Sequence, residues 1–505
     1  MTYTQAPTDD VVVSNDQTVT DTDKDVAIYV GKNNLTITNE GTISASGTAE
    51  DEGAIYVNEP KGGFGGNNTI ILNSGTISAT GTDTDAIYVK GDNLTLNNSG
   101  TILSTGDASI QLIGSADSTI TNTGTISSTS DSSIKLDSDS TATTINLNEG
   151  SMLIGGIEAE APYTLNIDLG ASKSYYISSS GSGDMTLNDL DNRPVIKGSA
   201  YAINIGSMEM ASENLYQKTS NLISTIDRNR NLSSWFHSYY QEARRDSQGS
   251  SSGVRKFENY HKGVTAGGIV EDSKIPLQFI MDINESENNI DRGEHIIKSG
   301  GVMIGFMFPD IKTLNNYSLS LKSLVGVSNN NTYRKILDST SPTGERVLTG
   351  DYNSFNTILG AYLNKLVVSK EGLSTHFSFG LDIVSERRKF YSENLYFSYD
   401  RLNLVQLQPK VSYEVKNIID DISNTYIRFG LEAREIISGK TQYFSANNTK
   451  TPYYVPNNND VYKTITIGLN SVIEDKMYFF AEVNAKESSE EVVNLLASIG
   501  FRATF

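Results

Sequence analysis

The sequence predicts an all-β protein in two parts: an N-terminal right-handed parallel β-helix and, after a short linker helix, a C-terminal antiparallel transmembrane β-barrel of about twelve strands. Three observations carry this expectation. A short unit recurs through the first part of the chain. The second part alternates apolar and polar residues with a period of two. Charge divides along the same line: residues 1–211 hold 27 Asp/Glu against 8 Lys/Arg, whereas the remainder holds 33 against 32.

Composition narrows the function. The 505 residues include no cysteine, which excludes disulfides, thiol catalysis and zinc–thiolate sites. No run of ~18 apolar residues occurs, so no helix is expected to span a membrane. The acidic first part would repel phosphate backbones, and nucleic acid is not an expected partner. The opening "MTYTQAPTDDVVVSNDQTVT" has neither a basic nor an apolar leader region, so no secretory signal is visible. Residues 1–24 are set apart as a lead or cap.

Residues 25–211 carry the repeats. "NEGTISASGT", "NSGTISATGT", "NSGTILSTGD" and "NTGTISSTSD" begin at Asn39, Asn73, Asn98 and Asn122, and a weaker "NEGSMLIGG" begins at Asn148. A short strand such as "NLTITN" precedes each core, and "AIYV", later "SIQL" and "SIKL", follows. Three short strands per unit describe one coil of a parallel β-helix, with ~4.8 Å between coils. One coil cannot bury its apolar face alone, so coils stack. The recurrent Asn and Gly are expected at corners, where they tolerate positive φ.

Residues 212–232 read as a helix. Ser212 is a suitable N-cap and Glu213 suits the first turn. Leu215, Leu222, Ile223 and Ile226 share one side at helical spacing. Some twenty residues measure ~30 Å, about one membrane thickness. The segment is either a plain linker or a helix threaded through a pore.

From residue 233 to 505 the alternation is that of membrane strands. "YIRFGLEAR" places Ile427, Phe429, Leu431 and Ala433 opposite Arg428, Glu432 and Arg434. "MYFFAEVNAK" places Met477, Phe479, Ala481 and Val483 opposite Glu482 and Lys486, and the terminal "VVNLLASIGFRATF" sets Val493, Leu495, Ile499, Phe501 and Phe505 opposite Arg502. Charge recurring behind a greasy face, over segments of ~9–11 residues, fits lipid outside and a polar lumen inside. Closure into a barrel also removes exposed sheet edges. Polar hairpins, among them "NNTYRKILDSTSPTGERVLTGD" and "NNTKTPYYVPNNND", are expected between strands. A large soluble β-sandwich is the alternative.

An acidic β-helix, a short helix, about twelve amphipathic strands and the ending "SIGFRATF" together resemble the autotransporters of Gram-negative outer membranes (type V secretion), over essentially the whole chain. The resemblance implies that the barrel inserts in the outer membrane with the help of the barrel-assembly machinery, with Phe501 and Phe505 in the assembly signal. It implies a pore helix from Ser212 to about Asn231 and a passenger at the cell surface. Some relatives cleave themselves at adjacent asparagines in that helix; none occur there here, so the passenger is expected to stay attached.

Catalytic chemistry in the passenger is restricted. All four histidines (His237, His261, His295, His376) lie beyond residue 211, so residues 1–211 lack a Ser-His-Asp or Cys-His site, and no catalytic residue is assigned. Carboxylates remain: Asp51, Asp83, Asp85, Asp107 and Asp131 follow the repeat cores at similar offsets. They read as a solvated acidic turn, with calcium binding or sugar hydrolysis as the alternatives. No cofactor is expected. The preferred reading is display of an adhesin-like passenger toward a host, surface or glycan ligand; a surface carbohydrate-active enzyme and a porin-like channel are the competing ones.

Overall fold

The computed structural model describes residues 9–21, 26–48, 53–58, 66–170, 172–191, 195–196, 200–202, 206–229, 234–246, 256–270, 276–314, 317–370, 372–394, 396–419, 423–446, 449–454, 459–474, 477–489 and 491–503. The chain forms two units: residues 1–204 with 335–347, and residues 205–334 with 348–505.

The first unit is a parallel solenoid. Every third strand lies in the same sheet, which gives sheets of eight, six and seven strands, all paired in parallel. Matched residues stack coil upon coil. Ile37, Ile71, Leu96, Ile120 and Ile145 form one inward row; Ile43, Ile77, Ile102 and Ile126 form a second; Ile28, Ile55, Ile87, Ile110 and Ile134 form a third. All are fully buried, each contributing ~1.5–3 kcal/mol of apolar transfer. The stack begins inside the stretch set apart as a lead, because Val11–Val13 and Thr18–Asp21 pair with Thr36–Asn39 and Thr42–Ala45.

In the first four repeats the Asn and Gly do not have positive φ, and only Gly150 of the fifth does, at 93°. Asn39, Asn73, Asn98 and Asn122 end their strands facing inward, fully or almost fully buried. Each amide donates to the next Asn Oδ1 at 2.7 Å, and the second N–H of Asn73 and Asn98 reaches a backbone carbonyl of the next coil at 3.2 Å. The ladder ends where the register offers Val13 below and Leu147 above. Positive φ falls at another corner, at Asn34, Asn68, Asn93, Asp117 and Ala142. The repeat glycines answer a different need, close approach of successive coils: a Cβ on Gly100 would lie 2.1 Å from the Gly75 carbonyl oxygen. Gly100→Ala must therefore push two coils apart, and we expect a loss of ~3 kcal/mol or more, read as a lower thermal midpoint of the solenoid transition.

The second unit is a closed antiparallel barrel with a helix. Its twelve strands are β1 (Ser234–Arg245), β2 (Phe257–Ile269), β3 (Gln278–Ile290), β4 (His295–Leu314), β5 (Tyr317–Asp338), β6 (Glu345–Lys370), β7 (Leu373–Arg388), β8 (Leu402–Ile418), β9 (Asn424–Ser438), β10 (Asp460–Glu474), β11 (Met477–Ser488) and β12 (Val492–Ala503). Neighbours in sequence pair, and β1 pairs with β12 from Ser234↔Ala503 to Arg245↔Val492, which closes the ring. The helix α1 runs from Gly206 to Asn229. It starts ahead of Ser212, which lies inside the helix instead of capping it.

The expected long polar hairpins are shorter or structured. Strand β5 extends to Asp338 and β6 starts at Glu345, so most of "NNTYRKILDSTSPTGERVLTGD" is strand. The β7–β8 and β9–β10 connections carry Tyr391–Glu393, Phe397–Tyr399, Thr441–Ala446 and Thr449–Tyr454, which form a separate four-stranded sheet. One end of the barrel has two-residue connections at 315–316, 371–372 and 475–476; the other carries the connections at 246–256, 389–401 and 439–459. Both Ser234 and Ala503 lie at the short-turn end.

Candidate functional site

Burial in the barrel is inverted relative to a water-soluble protein. Outward positions are greasy and exposed: Phe279, Met281 and Ile283 on β3, Val302, Ile304 and Phe306 on β4, Phe377, Phe379, Leu381 and Ile383 on β7, Ile465, Ile467 and Leu469 on β10. On β9, Phe429 is 52% exposed while Arg434 is 1% exposed. On β12, Val493, Leu495, Ile499 and Phe501 face out, and Asn494 and Ser498 face in. From Val493 to Phe501 the strand rises ~27 Å, or ~20 Å of height at the ~40° tilt of barrels. A band of that height, wrapped around a ring of charge, fits the acyl region of a bilayer. The barrel is a transmembrane one, and no helix of the described residues is long and apolar enough to cross a membrane.

Inward glycines make room for inward aromatics. A Cβ on Gly380 would meet the Tyr362 ring at 2.5 Å, and one on Gly468 would meet the Tyr426 ring at 2.3 Å. Each ring thus lies flat across the glycine of the neighbouring strand, which leaves the lumen wide enough for a helix.

The helix α1 fills that lumen and packs against β1, β2, β3 and β7. Leu215, Leu222, Ile223 and Ile226 are buried, but so are Ser212, Glu213, Gln217, Thr219, Asn221 and Thr225. Buried polar groups must find partners, and the wall supplies them. Glu213 is ion-paired with Arg434 and accepts from Tyr462 Oη at 3.0 Å. Tyr216 stacks on Tyr462 with centroids 4.4 Å apart and donates to Glu432 at 2.7 Å. Gln217 accepts from Asn494 at 2.6 Å, and Lys218 donates to Ser299 at 3.1 Å. Asp227 meets Lys322 at 2.9 Å, and Arg228 is ion-paired with Glu482. Gln406 donates to the Ser212 hydroxyl at 2.9 Å and Gln278 to the Asn229 carbonyl at 3.1 Å. Because Gln278 opens β3 at the short-turn end, the helix C-terminus lies at that end and its N-terminus at the other.

The wall is also paired with itself. Asp382 sits between Lys322 (3.0 Å) and Lys410 (2.9 Å), Lys486 meets Glu432 at 2.9 Å, and Arg428 donates from Nε to Glu414 at 3.1 Å. A cavity of about 260 Å³ remains beside the last turns of the helix, lined among others by Asp227, Arg228, His376, Lys410, Glu414 and Arg428.

The structure places the lumen residues named from the sequence, Arg428, Glu432, Arg434, Glu482 and Lys486, on the inner face, and Phe501 on the outer one. The side chain of Arg502, and the whole of Asp51 and Phe505, lie outside the described residues. Sequence reasoning missed what the helix residues Glu213, Tyr216, Asp227 and Arg228 meet in the wall, and it missed Lys322, Asp382 and Lys410, of which Lys322 meets Asp227 and the other two pair within the wall. Strand parity was the available signal for two of the three wall residues, since Lys322 follows exposed Leu321 and Asp382 lies between exposed Leu381 and Ile383.

Among the described residues the carboxylate row of the solenoid forms no oxygen cage. Asp83 is exposed and Asp85 buried. Lys135 stands between Asp107 at 2.7 Å and Asp131 at 2.5 Å, where a cation would otherwise sit, and no group of three acidic or histidine side chains suited to a metal occurs among the described residues. Burial acts to raise the Asp131 pKa, but hydrogen bonds from Lys135 and Ser132 outweigh it and the net shift is downward from 3.8. Burial acts to lower the Lys135 pKa, yet its two carboxylate partners raise it above 10.5. A depressed acid stabilises above its unfolded value and a raised base below its own. The clamp is therefore complete between pH 3.8 and 10.5 and is lost as pH falls through the folded Asp131 value. Protection of the Ile134–Leu136 amides, taken relative to their intrinsic exchange rate at each pH, should fall below pH 3.8 and stay unaffected by EDTA at neutral pH.

No protein-family model matches the sequence, and no curated protein matches it. Among solved structures the chain is similar to the translocator domain of the autotransporter NalP from Neisseria meningitidis, at 12% identity over 59% of this chain and 97% of that one, with a TM-score of 0.46. It is similar to the transport unit of the autotransporter AIDA-I from Escherichia coli, at 12% identity over 59% and 99%, with a TM-score of 0.42. It is also similar to the beta domain of the Bordetella autotransporter BrkA, at 9% identity over 54% and 99%, with a TM-score of 0.39.

Proposed function

We propose that the chain is an autotransporter: its barrel anchors in the outer membrane, and its acidic solenoid is displayed at the cell surface as an adhesin-like passenger without enzymatic activity. The observation that carries this reading is the helix. It lies in the lumen with its N-terminus at the long-connection end and its C-terminus beside the first barrel strand, as expected of a chain drawn through the barrel and halted there. The ion pairs Glu213–Arg434, Asp227–Lys322 and Arg228–Glu482 hold the helix at Glu213 and again in its last turn, which suits a permanent plug better than a transient cargo. The solenoid contributes long rows of repeated outward side chains, suited to multivalent contact with a surface or glycan partner. The lipid of the outer membrane and the barrel-assembly machinery are the other partners, Phe501 on the last strand belonging to the signal for the latter.

Protease added to intact cells tests this reading. Loss of residues 1–204, with a protected fragment that starts near Gly206, is the expected result. Protection of both halves would overturn display, and destruction of both would overturn the membrane anchor.

A further inference from the structure

Met152–Ile154 is the last strand of the six-stranded solenoid sheet, although the chain winds one coil further. The repeat order would place Ser174–Ile177 on top of it. Ser174–Ile177 pairs elsewhere instead: antiparallel with Ala200–Ala202, and in parallel with Ile336–Asp338. The latter belongs to residues 335–347, the excursion that folds with the first unit.

That excursion fills the missing rung. Leu337 packs against the solenoid core. The Ser339 carbonyl accepts from the Gly155 N–H at 2.7 Å, its own N–H donates to the Tyr176 carbonyl at 3.0 Å, and its hydroxyl accepts from the Ser178 N–H at 2.8 Å. Gly344 lies against the far strand: a Cβ there would fall 2.5 Å from Met152 Cγ. The excursion is internally braced, since Asp338 accepts from the Thr340 N–H at 2.9 Å and from Arg346 at 2.5 Å, and its own N–H donates to the Gly344 carbonyl at 2.9 Å.

We propose that the gap between Met152–Ile154 and Ser174–Ile177 is a strand-accepting site, that residues 335–347 are its occupant, and that the last coil is ordered only when they are seated. An uncovered parallel edge leaves a row of unpaired N–H and C=O groups. Earlier coils cover one another with residues 24 to 34 positions away, whereas Ser178 waits for a residue 161 positions downstream. Contacts of that separation form late. The coils from Ile28 to Leu136 need only their neighbours, and the final coil needs a part of the chain from beyond the fourth barrel strand.

The test is hydrogen exchange on the full-length protein in detergent, in two variants: residues 339–343 shortened to a two-residue turn, and Gly344→Val. The second keeps the connection intact in case shortening stops the barrel from folding. In both, amides of Ser174–Ile177 and Ala200–Ala202 should exchange on the order of 100-fold faster, with Ile28–Leu136 and β1 unchanged. Protection retained at Ser174–Ile177 in both variants, or lost equally over Ile28–Leu136, overturns the proposal.

Discussion

Deleting residues 206–229 should raise the single-channel conductance of the barrel in planar bilayers by roughly tenfold or more. An α-helix with its side chains occupies a cylinder ~10 Å across, and with α1 in place a cavity of about 260 Å³ remains beside its last turns. Removing the helix vacates the column that its buried side chains fill. The barrel should survive the deletion, because much of the wall charge is paired within the wall: Lys322 and Lys410 with Asp382, Lys486 with Glu432, Arg428 with Glu414. The groups that lose a helix partner, Arg434 and Glu482 among them, would face water in the opened pore and not a dry interior. Unchanged conductance would mean that the helix does not obstruct the lumen.

Asp382→Leu should cost ~3–5 kcal/mol of barrel stability, the largest effect expected of a single wall residue. Asp382 is fully buried between two lysines and also accepts from Tyr362 Oη at 3.0 Å, while the Tyr362 ring lies 4.2 Å from Lys322 Nζ and 5.2 Å from Lys410 Nζ. Room for this cluster comes from Gly360, where a Cβ would fall 2.1 Å from Asp382 Oδ1. Losing the carboxylate strands Lys410, whereas Lys322 keeps Asp227. Adding Lys410→Met should accordingly restore about half of the loss, because removing both members of a buried pair costs less than removing one. Urea midpoints of the two variants measure this directly, and strictly additive losses would contradict the coupling.

What the sequence reveals here follows from where the solvent lies. Lipid on one face and a polar lumen on the other impose a period of two on every strand, so the parity of Phe429 against Arg428 or Val483 against Glu482 can be read without coordinates. Solenoid repeats are equally visible, because each coil repeats the same inward residues. The misread features have other causes. Asn73 recurs because its amide bonds the next coil and Gly75 because coils press on one another, constraints that resemble corner chemistry in a one-dimensional pattern. Helix α1 begins at Gly206, ahead of Ser212, and the Ser212 hydroxyl accepts from Gln406 of the wall. Residues 335–347 look like an ordinary polar hairpin, and their partners at Tyr176 and Ser178 are invisible to any local pattern. The same holds for Lys322 and Asp227, which lie 95 positions apart.

The central claim is that the outward face of the barrel meets acyl chains and the inward face does not. Since the chain has no native cysteine, single spin labels can be placed along β12 through Val493→Cys, Asn494→Cys, Leu495→Cys, Ser498→Cys and Ile499→Cys, and their collision rates with oxygen and with a water-soluble nickel chelate measured in liposomes. Oxygen-dominated relaxation at positions 493, 495 and 499, with low oxygen access at 494 and 498, is the predicted result. Uniform access by the nickel chelate at all five positions would show that this surface is bathed in water.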